Sequence, residues 1–239
     1  MGSKAVIGLV LAHPDDETFG SAVLVRELAD AGHTVVLLSA TRGDAGQTGH
    51  LGPMSREELA ALRVQELGEA AGILGIREVE HLGYADGKLG EVPVAELSSR
   101  IADFLERHRV EVVVTFPEDG GNGHPDHIAI SRGSREAVFG GECTTVRKLY
   151  YFLFGPAAHG RPLTFRLDSR ERWDVKRRAL LAHRSQRVVI EKYFGDLETT
   201  FPESLKYESF ALAWTKGEGN PQRIETSLAD FVGRGGEGE

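Results

Sequence analysis

Two short segments concentrate the groups that bind metals and move protons: His13-Pro14-Asp15-Asp16-Glu17 and His124-Pro125-Asp126-His127. Pooled, they offer three imidazoles and four carboxylates, more than would be held as paired charges alone. A divalent cation resolves the excess. Catalytic zinc commonly takes three protein ligands of His and carboxylate type and leaves one position for water. The ion lowers the pKa of that water toward about 7, and a neighbouring carboxylate that is not a ligand can accept the proton. The single Cys143 excludes a thiolate-rich site, so nitrogen and oxygen ligation favours zinc while leaving iron, manganese and cobalt open. A plainer use exists for Asp15, Asp16 and Glu17, which would also complement the dipole at a helix start.

The elements that must position these groups can be read from hydrophobic periodicity. Near-continuous apolar runs at 5–11, 34–40, 78–82 and 110–116 predict strands buried on both faces. Helical spacing fills 18–31, 55–74 and 94–108. In the second of these, Ser55 and Glu58 form a capping box, Leu59, Leu62, Leu67, Ala70 and Leu74 recur on one face, and Gly75 is the stop. Further on, 125–139 reads as a helix, 148–154 as a fifth strand and 173–184 as a helix. Segment 199–213 reads as a short helix plus an edge strand that packs back on the sheet.

Strand and helix in alternation predict an α/β fold, Rossmann-like and doubly wound, with a mainly parallel sheet and helices on both faces. Residues 1–216 then form a single catalytic domain, and the Gly- and Glu-rich stretch 217–239 a flexible tail. Pro14 and Pro125 suit the first turn of a helix, so each motif belongs where a strand ends and a helix opens. In the strand order 3-2-1-4-5 the first and fourth strands are neighbours at the topological switch point, and the two motifs face each other across one crevice. Two matching His-Pro-Asp motifs at that place are hard to explain as helix-dipole partners.

Composition narrows the partners. Of 239 residues, 41% are hydrophobic and 27% charged, which suits a soluble core rather than disorder. The net charge of −8 disfavours nucleic acid. The apolar run 5–12 is too short to span a bilayer and lacks a cleavage site, and Val6 stands where a myristoylation pattern wants Ser or Thr. With one cysteine and no visible anchor, the expectation is a cytoplasmic protein that does not engage a membrane.

Ala12-His13-Pro14-Asp15-Asp16-Glu17 together with His124-Pro125-Asp126-His127 resembles the LmbE/PIG-L family of zinc-dependent N-acetylglucosaminyl de-N-acetylases, which includes the deacetylases of mycothiol and bacillithiol precursors. The likeness runs from about Val6 to Gln186. It implies zinc on His13, Asp16 and His127 and a general base at Asp15. It also implies that His124 stabilises the oxyanion or protonates the leaving amine, with Asp126 orienting it. The residues alone do not choose which His of the second motif holds the metal.

Weaker matches suggest substrate contacts. Thr41-Arg42-Gly43-Asp44-Ala45-Gly46 resembles a family loop that usually carries Glu at the Asp44 position, and Asp44 is otherwise a turn residue. Arg63 matches a substrate-holding arginine, although an arginine within a helix also pairs at i+3, here with Glu66. Asp86-Gly87 matches a loop near the substrate and is equally a turn signal. Several family members carry an aromatic residue two positions before the second motif, where this chain has Asn122. An amide can donate a hydrogen bond there but is a far weaker acid than a phenol. Lys176 and His183-Arg184-Ser185-Gln186 resemble a late helix motif and read as structural or subunit-contact residues. Cys143, Trp173 and Trp214 read as packing residues.

The resemblance thus implies hydrolysis of an acetamide on a small amino-sugar conjugate, by a homo-oligomer. A metallophosphoesterase with two ions and a non-catalytic, zinc-dependent sugar-binding module are the alternatives.

Overall fold

The computed structural model describes residues 4–154, 162–197, 201–203 and 206–217. Seven strands form one sheet: β1 (Val6–Leu11), β2 (Thr34–Thr41), β3 (Glu78–Tyr84), β4 (Val112–Thr115), β5 (Lys148–Leu153), β6 (Phe165–Asp168) and β7 (Tyr207–Thr215), in the spatial order β3-β2-β1-β4-β5-β7-β6. The first five are parallel and in the expected doubly wound order, while β7 runs antiparallel to both β5 and β6. The helices are α1 (Asp16–Asp30), α2 (Arg56–Leu74), α3 (Val94–Arg107), α4 (Pro125–Phe139), α5 (Trp173–Ala182) and α6 (Arg187–Phe194). Helix α1 packs with α2 and α5, and α3 packs with α4, as right-handed crossovers on the two faces of the sheet require.

The central strands explain why their sequences read so plainly. Leu9, Val10, Leu11, Val35, Leu37, Leu38, Val113 and Val114 are all buried, because helices cover both faces. Strand β3 differs from that expectation. It is the sheet edge, its residues are half-buried or exposed, and the polar Glu78, Glu80 and His81 between its apolar residues reflect that position. Helix α2 begins as expected: Ser55 accepts from the Glu58 N–H at 3.2 Å, and the Glu58 carboxylate accepts from the Ser55 N–H at 2.8 Å. Gly75 closes it at φ 85.

Two expectations for the C-terminal third change. The strand within 199–213 is β7, and it lies inside the sheet between β5 and β6 instead of at the edge. Its apolar Phe210, Ala211 and Leu212 are buried accordingly. The edge strand at this side of the sheet, opposite β3, is the four-residue β6, too short to announce itself. Residues 199, 200, 204 and 205 of the expected short helix lie outside the described residues, as does the tail from 218 onward. The helix expected over 173–184 stops at Ala182, and a 3-10 turn over Arg184–Gln186 leads into α6. Cys143 is buried, Trp214 stacks on Phe139 and Trp173 meets Phe201 edge-on, so all three pack.

Candidate active site and metal centre

The first motif fills the turn between β1 and α1, and the second opens α4, which follows β4. Since β1 and β4 are hydrogen-bonded neighbours, the two turns meet at the C-terminal edge of the sheet. The turn after β1 is tied by Asp16, whose Oδ2 accepts the backbone N–H of Ala12 at 3.1 Å and of His13 at 2.8 Å. Asp15 is the N-cap of α1 with φ 110, a conformation that costs a non-glycine residue roughly 1–3 kcal/mol. It makes no side-chain cap bond, so its carboxylate is free for another use.

His13, Asp16 and His127 converge, all three buried. His13 Nδ1 lies 3.2 Å from His127 Nε2, Asp16 Oδ1 is 3.4 Å from His127 Nε2, and Asp16 Oδ2 is 3.7 Å from His13 Nδ1. Tetrahedral bonds of 2.0–2.2 Å place ligand atoms about 3.3–3.6 Å apart, and these separations, which involve both Asp16 oxygens, lie within about 0.1 Å of that range.

The outer nitrogens make the case stronger. His13 Nε2 faces Asp126 Oδ2 at 3.1 Å and Asp86 Oδ1 at 3.1 Å, and His127 Nδ1 faces the Gly120 carbonyl at 3.1 Å and Asn122 Oδ1 at 3.1 Å. Each outer nitrogen must therefore carry its proton, which leaves two lone pairs pointing at each other. Only a proton or a metal ion between them resolves that contact. Burial opposes charge on His13, yet Asp126, Asp86 and Asp16 together raise its pKa to about 10. A metal would displace that proton.

His13 with Asp86 and Asp126 is also close enough to share an ion, as is His13 with His124 and His127. The former contact is already satisfied by the imidazole N–H, which makes those carboxylates outer partners of a ligand. Hydrogen bonds from His13, Gly87 and Leu89 hold the Asp126 carboxyl below its usual range despite burial. Asp16 is held at about 2 against burial, mainly by His127.

The remaining predicted residues distribute as follows. Arg63 donates to the Gly43 carbonyl at 3.0 Å, to Asp15 Oδ2 at 3.0 Å, and to the Pro14 carbonyl. It bonds to Asp15 where an i+3 pair with Glu66 was the alternative. A side chain on Gly43, which has φ 69, would come within 2.3 Å of this guanidinium. Burial raises the Asp15 carboxyl to about 6, with Arg63 opposing. Asp86 Oδ2 accepts from Ala45 N–H at 3.0 Å, and Asp44 Oδ1 accepts from Asp86 N–H at 2.9 Å, which clasps the loops after β2 and β3 together. Asp44 lines a separate cavity of about 600 Å3 with Arg42, Arg56 and His81. Asn122 supports His127, and its amide oxygen also accepts from the His124 N–H at 3.0 Å.

The expected orienting bond from Asp126 to His124 is replaced. The Asp126 carboxylate lies on His13, and it is the Asp126 backbone N–H that donates to His124 Nδ1, at 3.2 Å. The neutral His124 ring thus carries its proton on Nε2. Burial, with His13 and His127 nearby, lowers its pKa and keeps it neutral.

A cavity of about 530 Å3 opens over these groups. Asp15, Arg63 and Gln186 contribute polar lining, and Phe19, Phe154 and Tyr193 are among its aromatic lining. Sequence reasoning missed one pair beneath it. Glu17 and His183, both fully buried, meet at 2.7 Å across 166 positions of chain. No local pattern links them, although both lie in motifs already singled out.

A sequence profile described as PIG-L, GlcNAc-PI de-N-acetylase, matches residues 9–138. The 1D-myo-inositol 2-acetamido-2-deoxy-alpha-D-glucopyranoside deacetylase of Kineococcus radiotolerans is 33% identical over 159 residues, covering 54% of this chain and 43% of that protein. The chain thus spans less than half the length of that relative. The deacetylase of the same name from Nocardiopsis dassonvillei is 29% identical over 243 residues, covering 78% of this chain and 86% of that protein. Among solved structures, N,N'-diacetylchitobiose deacetylase from Pyrococcus horikoshii matches with a TM-score of 0.67 at 22% identity, over 87% of this chain and 83% of that one, a likeness of fold.

Proposed function

The chain belongs to the PIG-L family, and from that premise we propose that it is a metal-dependent amidohydrolase that removes the acetyl group from an N-acetylglucosamine-type conjugate. The observation that carries this reading is the pair of imidazole nitrogens, His13 Nδ1 and His127 Nε2, that face each other at 3.2 Å beside Asp16, next to a carboxylate with a raised pKa. His13, Asp16 and His127 would hold the ion, with zinc favoured by the donor set. Bound there, it would supply the positive charge that polarises an acyl oxygen and acidifies water.

The chain's own residues account for the proton movements. Asp15, with a pKa of about 6, can take a proton from water near neutral pH and return it to the departing nitrogen. The new carbon–oxygen bond forms first and moves the carbonyl electron pair onto oxygen; the C–N bond then breaks as that pair returns and the nitrogen takes the proton from Asp15, so acetate and the free amine leave. His124, neutral with its proton on Nε2, donates a hydrogen bond to the developing oxyanion. Arg63 orients Asp15 through its 3.0 Å bond to Asp15 Oδ2 and lines the cavity in which the substrate would lie. Asp86 and Asn122 serve the substrate indirectly, through the two histidines. Asp44 reaches it through Asp86.

Among the described residues no helix is long and apolar enough to cross a membrane. We include the inositol conjugate named for the two relatives as the first candidate. The test is amine release by metal-loaded protein from free N-acetylglucosamine and its inositol and malate conjugates, with metal content measured alongside. Turnover with one ion per chain is expected. Two ions per chain with phosphate-ester turnover would move the assignment to a phosphoesterase, and tight acetamido-sugar binding without amine release to a sugar-binding module.

A further inference from the structure

We infer that the buried Glu17–His183 pair is the positioning device that holds Asp15 in its productive conformation; the inference rests on the hydrolase reading above for its catalytic consequence. An aspartate at a helix N-cap ordinarily turns its carboxylate onto the N–H groups of its own first turn. Asp15 does not: its φ is 110, it makes no cap bond, and its carboxylate faces Arg63. Something must hold the backbone in that conformation. Glu17 Oε2 accepts the Asp15 N–H at 3.0 Å, so the glutamate two residues on curls back and grips the residue whose conformation is unfavourable.

Glu17 is fixed in turn. Its Oε1 accepts from Thr18 Oγ1 and meets His183 Nε2 at 2.7 Å, with both partners buried at 0% exposure. His183 sits where α5 ends, and the turn that follows it is pinned by Glu66, which accepts from Ser185 N–H at 2.9 Å and Ser185 Oγ at 2.6 Å. Glu66 lies one helical turn after Arg63 on α2. The two ends of one helix turn therefore brace the catalytic loop, Arg63 from the carboxylate side and Glu66 through His183 and Glu17 from the backbone side. A pair that served burial alone would have no reason to spend an oxygen on the Asp15 N–H.

The test compares His183→Phe, which removes the donor, with His183→Gln, which keeps an N–H in the same region. Four quantities are read: kcat and KM for amine release, metal content, and hydrogen exchange of the Asp15 amide in metal-free protein. The expected result for His183→Phe is a kcat lowered 30-fold or more at KM and metal content within twofold of the parent, with Asp15 amide exchange at least tenfold faster. His183→Gln should recover most of both. A kcat within threefold of the parent, or a loss that simply follows metal content, overturns the inference. If the parent releases no amine from any substrate, the hydrolase reading falls. The exchange rate then decides the positioning claim alone, and unchanged Asp15 exchange in His183→Phe overturns it. Should His183→Phe not fold, Glu17→Gln replaces it with the same expectations and the same overturning results.

Discussion

Replacing Asp126 by asparagine separates two accounts of this site. In the structure the carboxylate is fully buried and accepts three hydrogen bonds, from His13 Nε2 at 3.1 Å, Gly87 N–H at 2.7 Å and Leu89 N–H at 3.0 Å. Asparagine keeps one acceptor oxygen and turns an NH2 toward at least one of these donors. Loss of an outer carboxylate from a metal-bound histidine typically weakens metal binding 10–100-fold, or about 1.4–2.7 kcal/mol. Asp86 also reaches His13 Nε2 at 3.1 Å, so an acceptor survives and the expected loss lies near tenfold. Adding Asp86→Asn should bring it toward 100-fold. Folding stability should fall by about 1.5–3 kcal/mol, because the amide oxygen can take the Oδ2 place and keep the His13 and Gly87 bonds while the Leu89 N–H loses a bond to a charged acceptor. Zinc affinity is measured by competition with a chromophoric chelator, and stability by denaturant unfolding of the metal-free protein. Zinc affinity within twofold of the parent, together with a lowered kcat, would refute this reasoning and return Asp126 to the service of His124.

Three further outcomes follow from other parts of the molecule. Ser55→Ala removes the cap of α2 and should lower stability by about 1 kcal/mol, read as a drop of about 2–4 °C in Tm, with amine release unchanged. Lys176 and Glu208 form a buried pair at 2.8 Å, so Lys176→Met should cost about 3–5 kcal/mol in denaturant unfolding; a loss below 1 kcal/mol would show that the Val23 and Leu24 N–H groups alone satisfy Glu208. Burial pushes the Cys143 thiol up to about 12, above the unfolded thiol value near 9. The folded state therefore keeps its proton longer, and this contribution is intact below pH 9 and lost as pH rises from 9 toward 12, up to tenfold in the folding equilibrium per unit. Cys143→Ala should flatten that alkaline loss, and identical alkaline profiles would contradict it.

What was legible in the sequence follows from how each feature is encoded. The central strands β1, β2 and β4 are covered on both faces, so their apolar runs are continuous, and the strand order placed His13 beside His127 from 114 positions away. Strand β6, Phe165–Asp168, has four residues at the sheet edge and no period long enough to detect. Strand β7 looked like an edge because a run of aromatic and small residues does not reveal whether it has one neighbour or two. The partners of polar side chains were least legible. Asp126 could have turned to His124 or His13, and Arg63 to Glu66 or Asp15. Each choice depends on which loop a neighbouring strand delivers, as with Asp86 from the far side of β2. The Glu17–His183 pair joins the start of α1 to the end of α5, a contact with no local signature.

The central claim is that His13, Asp16 and His127 hold the ion while Asp15 moves the proton. It is tested most directly by measuring metal content and amine release side by side in Asp15→Asn and His13→Ala. The account predicts that Asp15→Asn keeps its metal and loses at least 100-fold in kcat, a typical contribution of a positioned base, whereas His13→Ala loses both. Turnover by Asp15→Asn within a few-fold of the parent, or full metal content in His13→Ala, would contradict it.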